Sequence, residues 1–262
     1  MKSLVGRVAV VTGASRGIGV HIAEALGREG CSLILVARNQ LELDRQASRI
    51  ASTTEVAVHF EVADLAVADG AERLADVLAK KYPPIDILVN NAALFTEGYF
   101  AELDLKTMDQ NLMVNVRSLI ALTRLILPSM LHRNRGHIVN VASLAGLGGM
   151  AHGEVYCATK HAVVGFTRAL RATLSTRKSE VSASVICPGF ISETGMYARV
   201  SERTGEVAPV VMGTSTPDAV ARAVVKAIRK NRTEIVVNPT PVWPMLSLQL
   251  AFPRLAEWIV NL

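Results

Sequence analysis

Cysteine is scarce in this sequence. Only three of 262 residues are cysteines, Cys31, Cys157 and Cys187, with no CxxC pair and no metal-ligand spacing among them. An odd, sparse set of thiols excludes a disulfide framework and fits a reducing compartment, so a cytoplasmic protein that binds no metal is expected. Long apolar runs are also missing. No stretch reaches the roughly 18 continuous apolar residues of a membrane span. The first run, Val8 to Val11, is too short for a signal-peptide core and leads straight into glycines. Dense basic runs are absent beyond "RKNR" at Arg229 to Arg232. The formal charge of +5 therefore reads as a mildly basic surface, suited to phosphate-bearing ligands or acidic partners, and not as a nucleic-acid interface. No Pro/Gly/Ser-rich linker, internal repeat or low-complexity segment divides the chain. With 50% hydrophobic residues there is material for one large core, and disorder is excluded.

What is present is a regular alternation. Strand-length apolar runs, Arg7 to Thr12, Ser32 to Ala37, Val56 to Val62, Ile85 to Asn90, Gly136 to Ser143, Val181 to Cys187 and Glu234 to Asn238, alternate with helical patterns. The helices are expected at about Gly17 to Glu29, Leu41 to Ala51, Ala66 to Lys80, Asp104 to Leu131, Val155 to Ser175 and Pro217 to Lys230. Nearly all the strands are continuously apolar, as strands covered on both faces must be. The alternation predicts an α/β fold built on one parallel, doubly wound sheet.

"TGASRGIG", Thr12 to Gly19, follows the first strand and opens the first helix. Glycines at such a turn let the backbone approach a ligand, and the helix N-terminus behind them favours a phosphate. The spacing, Gly13, Gly17 and Gly19, differs from GxGxxG. Past the second strand there is no Asp or Glu to meet a ribose hydroxyl; Arg38 stands there instead, and Arg16 lies in the glycine loop. Two guanidinium groups where a 2′-phosphate would sit argue for NADP(H) over NAD(H).

In "EVYCATKHAVVGF", Tyr156 and Lys160 stand one helical turn apart on the same face. A phenol is a poor acid-base group near neutrality, and an ammonium beside it is expected to lower its pKa. Ser143 closes the fifth strand at the carboxyl edge of the sheet, where it could hold a carbonyl oxygen beside Tyr156. Asn115, in "LMVNVRS", is surrounded by apolar residues and needs partners, either a water or a core hydrogen bond.

Together, "TGASRGIG", "NNAA" at Asn90 to Ala93, Asn115, Ser143, "YCATK" and Pro188-Gly189 occur in the order of a known family. From about residue 5 to residue 240 the sequence resembles the main branch of the short-chain dehydrogenase/reductase family, including its 3-oxoacyl-carrier-protein reductases and related carbonyl reductases. The resemblance implies a single-domain Rossmann-like sheet with strand order 3-2-1-4-5-6-7. It implies that Tyr156 is the general acid in reduction, that Lys160 lowers its pKa and holds the nicotinamide ribose, and that Ser143 orients the substrate oxygen. Asn115 would hold a water of a proton relay. The cofactor would lie along Gly13, Ser15, Arg16, Gly17, Ile18, Gly19, Arg38, Asp64, Leu65, Asn91, Ala92, Tyr156, Lys160, Pro188, Gly189 and Ile191. The family's NNAG reads NNAA here, Thr159 stands where serine is common, and Thr194 is displaced by one place from the threonine that follows Pro-Gly.

The expected activity is NADPH-dependent interconversion of a ketone and a secondary alcohol. A 3-oxoacyl thioester, a steroid-like ketone and a medium-chain ketone are all open as substrates. The alternative is a non-catalytic NADP(H)-binding sensor or scaffold, which would be expected to have lost Tyr156, Lys160 or Ser143. Met150 and His152 in "LAGLGGMAHGE", and Met196, Tyr197 and Met212 in the segment Gly195 to Ser215, are expected to shape an apolar pocket, with His152 at its rim. Residues 241–262 form an apolar extension of the catalytic unit 1–240, carrying Trp243, Phe252 and Trp258 and broken by prolines. Packing on an oligomer partner is expected first, a membrane surface second, and folding back on the chain itself third. A homodimer or homotetramer is the expected assembly.

Overall fold

In the computed structural model, which describes residues 1–204, 212–252 and 254, the seven apolar runs become seven parallel strands. They are β1 (Val8–Thr12), β2 (Ser32–Ala37), β3 (Val58–Val62), β4 (Ile87–Asn90), β5 (His137–Val141), β6 (Ser182–Pro188) and β7 (Glu234–Val237). Their order in the sheet is β3-β2-β1-β4-β5-β6-β7, as expected. The strand order reverses beside β1, and ligands of such sheets bind at the carboxyl edge over that point.

Register places apolar side chains in rows across the sheet. Val10 pairs with Ile34 and Leu88, Leu88 with Ile138, and Ile138 with Ala183. This row packs against α3 (Gly70–Lys81) and α5 (Ser118–His132) through Leu74, Leu78, Leu122, Ile126 and Met130. The alternate positions Val11, Leu33, Leu35, Ile87, Val89 and Val139 face α1 (Ile18–Arg28), α2 (Gln40–Thr54) and α8 (Pro217–Lys230) through Ile22, Leu26, Leu43, Ile50, Val220, Val224 and Ile228. Both faces are therefore covered, which is why the strands carry no polar alternation. The exception is β3, an edge strand whose His59 and Val62 are exposed.

Several boundaries differ from the sequence reading. Helix α3 begins at Gly70, not Ala66, because the Asp64 carboxylate accepts from the Ala66 N–H and folds the intervening residues into a turn. The long helical region is three pieces: α4 (Leu105–Leu112), a π-helical turn (Met113–Arg117) and α5. In that turn the Ser118 N–H bonds to Met113, and the Ser118 hydroxyl donates to the Val114 carbonyl instead. The stretch Leu105–His132 is long and apolar enough to cross a membrane by length and composition alone, yet its α5 portion buries Leu119, Leu122, Ile126 and Met130 in the core. Residues 195–204, where no helix is expected from the sequence, form α7 (Gly195–Thr204). The catalytic-region helix α6 runs over Glu154–Thr176.

The C-terminal extension is the main correction. Its prolines were expected to break it into short pieces, but Pro244 sits in the first turn of a helix, α9 (Trp243–Ala251), where a missing N–H costs nothing. This helix packs on its own chain, burying Val242 and Leu246, while Trp243, Met245 and Phe252 remain exposed. Trp258 and part of the segment Gly195 to Ser215 lie outside the described residues.

Candidate active site

A cleft of about 1460 Å³ opens at the carboxyl edge of the sheet. Its volume exceeds the upper end, roughly 1,000 Å³, of ordinary small-ligand pockets, so it has room for a dinucleotide and a second molecule. All sixteen residues expected along the cofactor line this one cleft, from Gly13 and Ser15 through Ile18, Arg38, Asp64, Leu65 and Asn91 to Pro188, Gly189 and Ile191.

The glycine turn is shaped by close backbone approach. Gly13 and Gly17 have φ of +69° and +62°, where L side chains are strained. A Cβ on Gly19 would meet the Gly13 carbonyl oxygen at 2.2 Å, and one on Gly13 would meet the Ala92 backbone at 2.9 Å. Gly17 caps α1 without a side-chain hydrogen bond, so its first-turn N–H groups lack a side-chain cap among the described residues. Arg16 and Arg38 are both exposed on the same cleft, without an ion pair among the described residues. A helix N-terminus open at its cap, glycines holding the backbone tight and two unneutralised guanidinium groups fit a phosphate-rich dinucleotide.

Thr12, which the sequence reading passed over, fixes the loop opposite. Its hydroxyl accepts from the Asn91 and Ala92 N–H groups, each at 3.0 Å, while Asn91 Nδ2 donates to the Thr12 carbonyl at 2.9 Å. Its only visible signal was position, as the last residue of β1. The substituted residue of NNAA, Ala93, lines the cleft. Thr194 does not line it; it stands across from Gly17, its Oγ1 3.8 Å from where a Gly17 Cβ would be.

Tyr156, Lys160 and Ser143 meet in the cleft. Ser143 lies beyond the end of β5 and caps the short 3₁₀ turn Leu144–Gly146, accepting from the Ala145 N–H at 3.2 Å. Tyr156 and Lys160 are both buried, and Lys160 Nζ lies 5.4 Å from the Tyr156 ring centroid while donating to the Val141 carbonyl at 3.0 Å. The expected lowering of the phenol by the ammonium is not what this arrangement produces. Burial pushes the Tyr156 phenol up to about 12, opposed by a hydrogen bond with Ser143. Burial likewise brings Lys160 down to about 8. Both groups lose hydration of their charged forms, and that outweighs an ammonium placed over the ring and bonded to a backbone carbonyl.

Asn115 is just behind the wall of the cleft. Its Nδ2 donates to the Leu94 carbonyl at 2.8 Å and to Thr159 Oγ1 at 3.1 Å, and its Oδ1 accepts from the Leu94 N–H at 2.7 Å. Both amide hydrogens are thus committed to protein. The side chain ties the Leu94 loop to α6. Thr159, which stands where serine is common, is the other half of that tie. One residue on, Phe95 packs edge-on to the Tyr156 ring at 5.0 Å between centroids. Cys157, beside Tyr156, is buried in the same cluster with Ala145, Phe95, Met150 and Met196.

The remaining walls are apolar, as expected: Leu144 and Met150 from the β5–α6 loop, Met196 and Tyr197 from α7, and Met212. His152 is exposed at the rim, with φ of +58° and its ring 5.0 Å from Tyr99. Val242, Met245, Leu246 and Gln249 also line the cleft, although nothing in the sequence connects them to Tyr156.

Known proteins share this architecture. The family model for short chain dehydrogenase matches residues 7–205. The ketoacyl reductase HetN of a Nostoc species is 39% identical over 267 residues, covering 100% of this chain and 89% of that protein. A putative NAD(P)-dependent gluconate 5-dehydrogenase from Beutenbergia cavernae, solved with bound NADP, is 33% identical with a TM-score of 0.80 over 90% of this chain and 96% of that one. A short chain dehydrogenase/reductase from Burkholderia phymatum, solved with NAD, is 28% identical with a TM-score of 0.85 over 97% and 96%.

Proposed function

Because the chain belongs to the short-chain dehydrogenase family, whose members are oxidoreductases, we propose that it reduces an apolar ketone to a secondary alcohol with NADPH. The observation that carries this reading is the meeting of Tyr156, Ser143 and Lys160 in one cleft with Arg16, Arg38 and the glycine turn. When bound, the dinucleotide supplies the hydride. The chain supplies the rest. Ser143 presents its hydroxyl to the substrate oxygen. Tyr156, held as the protonated phenol well above neutral pH, donates a proton to that oxygen. Lys160 delivers charge beside the ring and holds the nicotinamide ribose, and Asn115 and Thr159 fix the helix that carries both. A phenol raised by burial stays protonated across the physiological range.

Leu144, Met150, Met196 and Met212 support an apolar substrate. The relative named a ketoacyl reductase supports a 3-oxoacyl compound among the ketones that remain open. The preference for NADPH rests on Arg16 and Arg38. Homo-oligomerisation is supported by Leu105, Leu112 and Ile120, exposed along α4 and α5, where the π turn adds the residue that brings Ile120 back onto one stripe. Free, buried thiols are consistent with a cytoplasmic location.

The test is NADPH absorbance in the presence of a panel of straight-chain, cyclic and 3-oxoacyl ketones. Ketone-dependent oxidation of NADPH by at least one apolar member is expected. Tight NADPH binding without turnover on any of them would favour a sensor instead.

A further inference from the structure

The cleft wall contributed by α9 lies beyond residues 7–205, the part shared with the family at large. Val242, Leu246 and Gln249 stand one turn apart along one helix face. Val242 and Leu246 are each 5% exposed, while Trp243, about a quarter turn round the helix, is 52% exposed. Leu246 and Gln249 sit against Gly148, in the loop that leads from Ser143 to Tyr156. A Cβ there would come within 3.2 Å of Gln249 Oε1 and 3.4 Å of Leu246 Cδ2, whereas one on the neighbouring Gly149 would meet nothing within 4 Å. Gly148 thus brings the loop backbone into close contact with the Leu246 and Gln249 side chains. The lead-in is anchored as well: Asn238 Nδ2 and Thr240 Oγ1 both donate to the Met212 carbonyl, at 3.0 and 3.2 Å.

Resting on the reading of this cleft as a ketone reductase site, we propose that the Val242–Leu246–Gln249 face of α9 selects the substrate by size, with Leu246 setting the limit. An isobutyl group buried against a catalytic loop excludes chain length by steric conflict, and the hydrogen bonds to the Met212 carbonyl tie down the lead-in to the helix. Gln249, exposed at the rim, offers the one amide that α9 brings to the cleft and suits a second polar group on the substrate.

Both tryptophans, Trp243 and Trp258, lie in the C-terminal segment, so tryptophan emission reports on it without turnover. The protein saturated with NADP⁺, which does not absorb that emission, is titrated with straight-chain methyl ketones of increasing length. The same series is run as substrates with NADPH. In the wild type, emission shifts on binding, and both affinity and kcat/KM stop rising beyond one chain length. Leu246→Ala moves that limit to longer chains, raising kcat/KM for the longest member about tenfold relative to the shortest, in line with the size of a methylene-scale pocket change. Leu246→Trp moves it the other way. Unchanged length profiles and unchanged emission in both variants, with NADPH affinity intact, would overturn the assignment. Length-dependent binding shifts without any turnover would leave the α9 wall standing and remove the reductase reading.

Discussion

Replacing Tyr156 by phenylalanine is expected to lower kcat for ketone reduction about a thousandfold, within the ~10²- to 10⁴-fold range of a positioned general acid. The affinity for NADPH should change little. The substitution keeps the ring, its edge-on contact with Phe95 and its place above Lys160, and it removes only the hydroxyl. Loss of turnover with an intact NADPH binding curve therefore separates chemistry from folding. Undiminished turnover would contradict the mechanism. The wild-type pH profile carries a second signature. Lys160 is brought down to about 8, so its charge is present below that pH and is lost as pH rises through it. Tyr156, pushed up to about 12, stays protonated over the same interval. Thus kcat/KM for reduction should be level on the acid side of pH 8 and fall above it, reporting the unliganded protein.

Arg38→Asp is expected to move cofactor preference from NADPH to NADH. Hydrogen bonds to charged groups are worth about 1.5–3 kcal/mol, or roughly tenfold to a hundredfold per guanidinium. The new carboxylate also repels a 2′-phosphate and can accept from a ribose hydroxyl. The ratio of kcat/KM for NADPH over NADH should fall by at least about a hundredfold. Arg16→Ala should lower it less, since it adds no repulsion. An unchanged ratio in both variants would refute the assignment of this end of the cleft to a phosphate. Related structures solved with NADP and with NAD share this fold, so the fold alone does not set a preference and these two variants test whether the arginines do.

The sheet was legible because its strands are buried on both faces, and burial leaves an unbroken apolar run in the sequence. Even β3, with one face open, was found within two residues of its expected start; the reading was furthest off where side chains redirect the backbone, as Asp64 does before α3. Tyr156 and Lys160 were legible because helical spacing alone puts them together. Their protonation was not, because desolvation depends on what covers them: Phe95, Ala145 and Met196 arrive from three separate segments. Asn115 was correctly singled out as a buried amide in need of partners, but which partners depended on a π turn that composition does not announce. Helix α9 was the least legible element. Its prolines read as breaks until Pro244 is placed in a first turn, and its partner Gly148 is a hundred residues away and marked only by lacking a side chain.

The central claim is that this cleft transfers hydride from NADPH to a ketone whose oxygen takes its proton from Tyr156. NADPH carrying deuterium at its transferable position, incubated with the protein and the best ketone of the panel, tests it directly. Mass spectrometry of the product should find one deuterium on the carbinol carbon in the wild type and almost none with Tyr156→Phe. Bound NADPH that keeps its label in the presence of every ketone, or label transfer that survives Tyr156→Phe at the wild-type rate, would contradict the account.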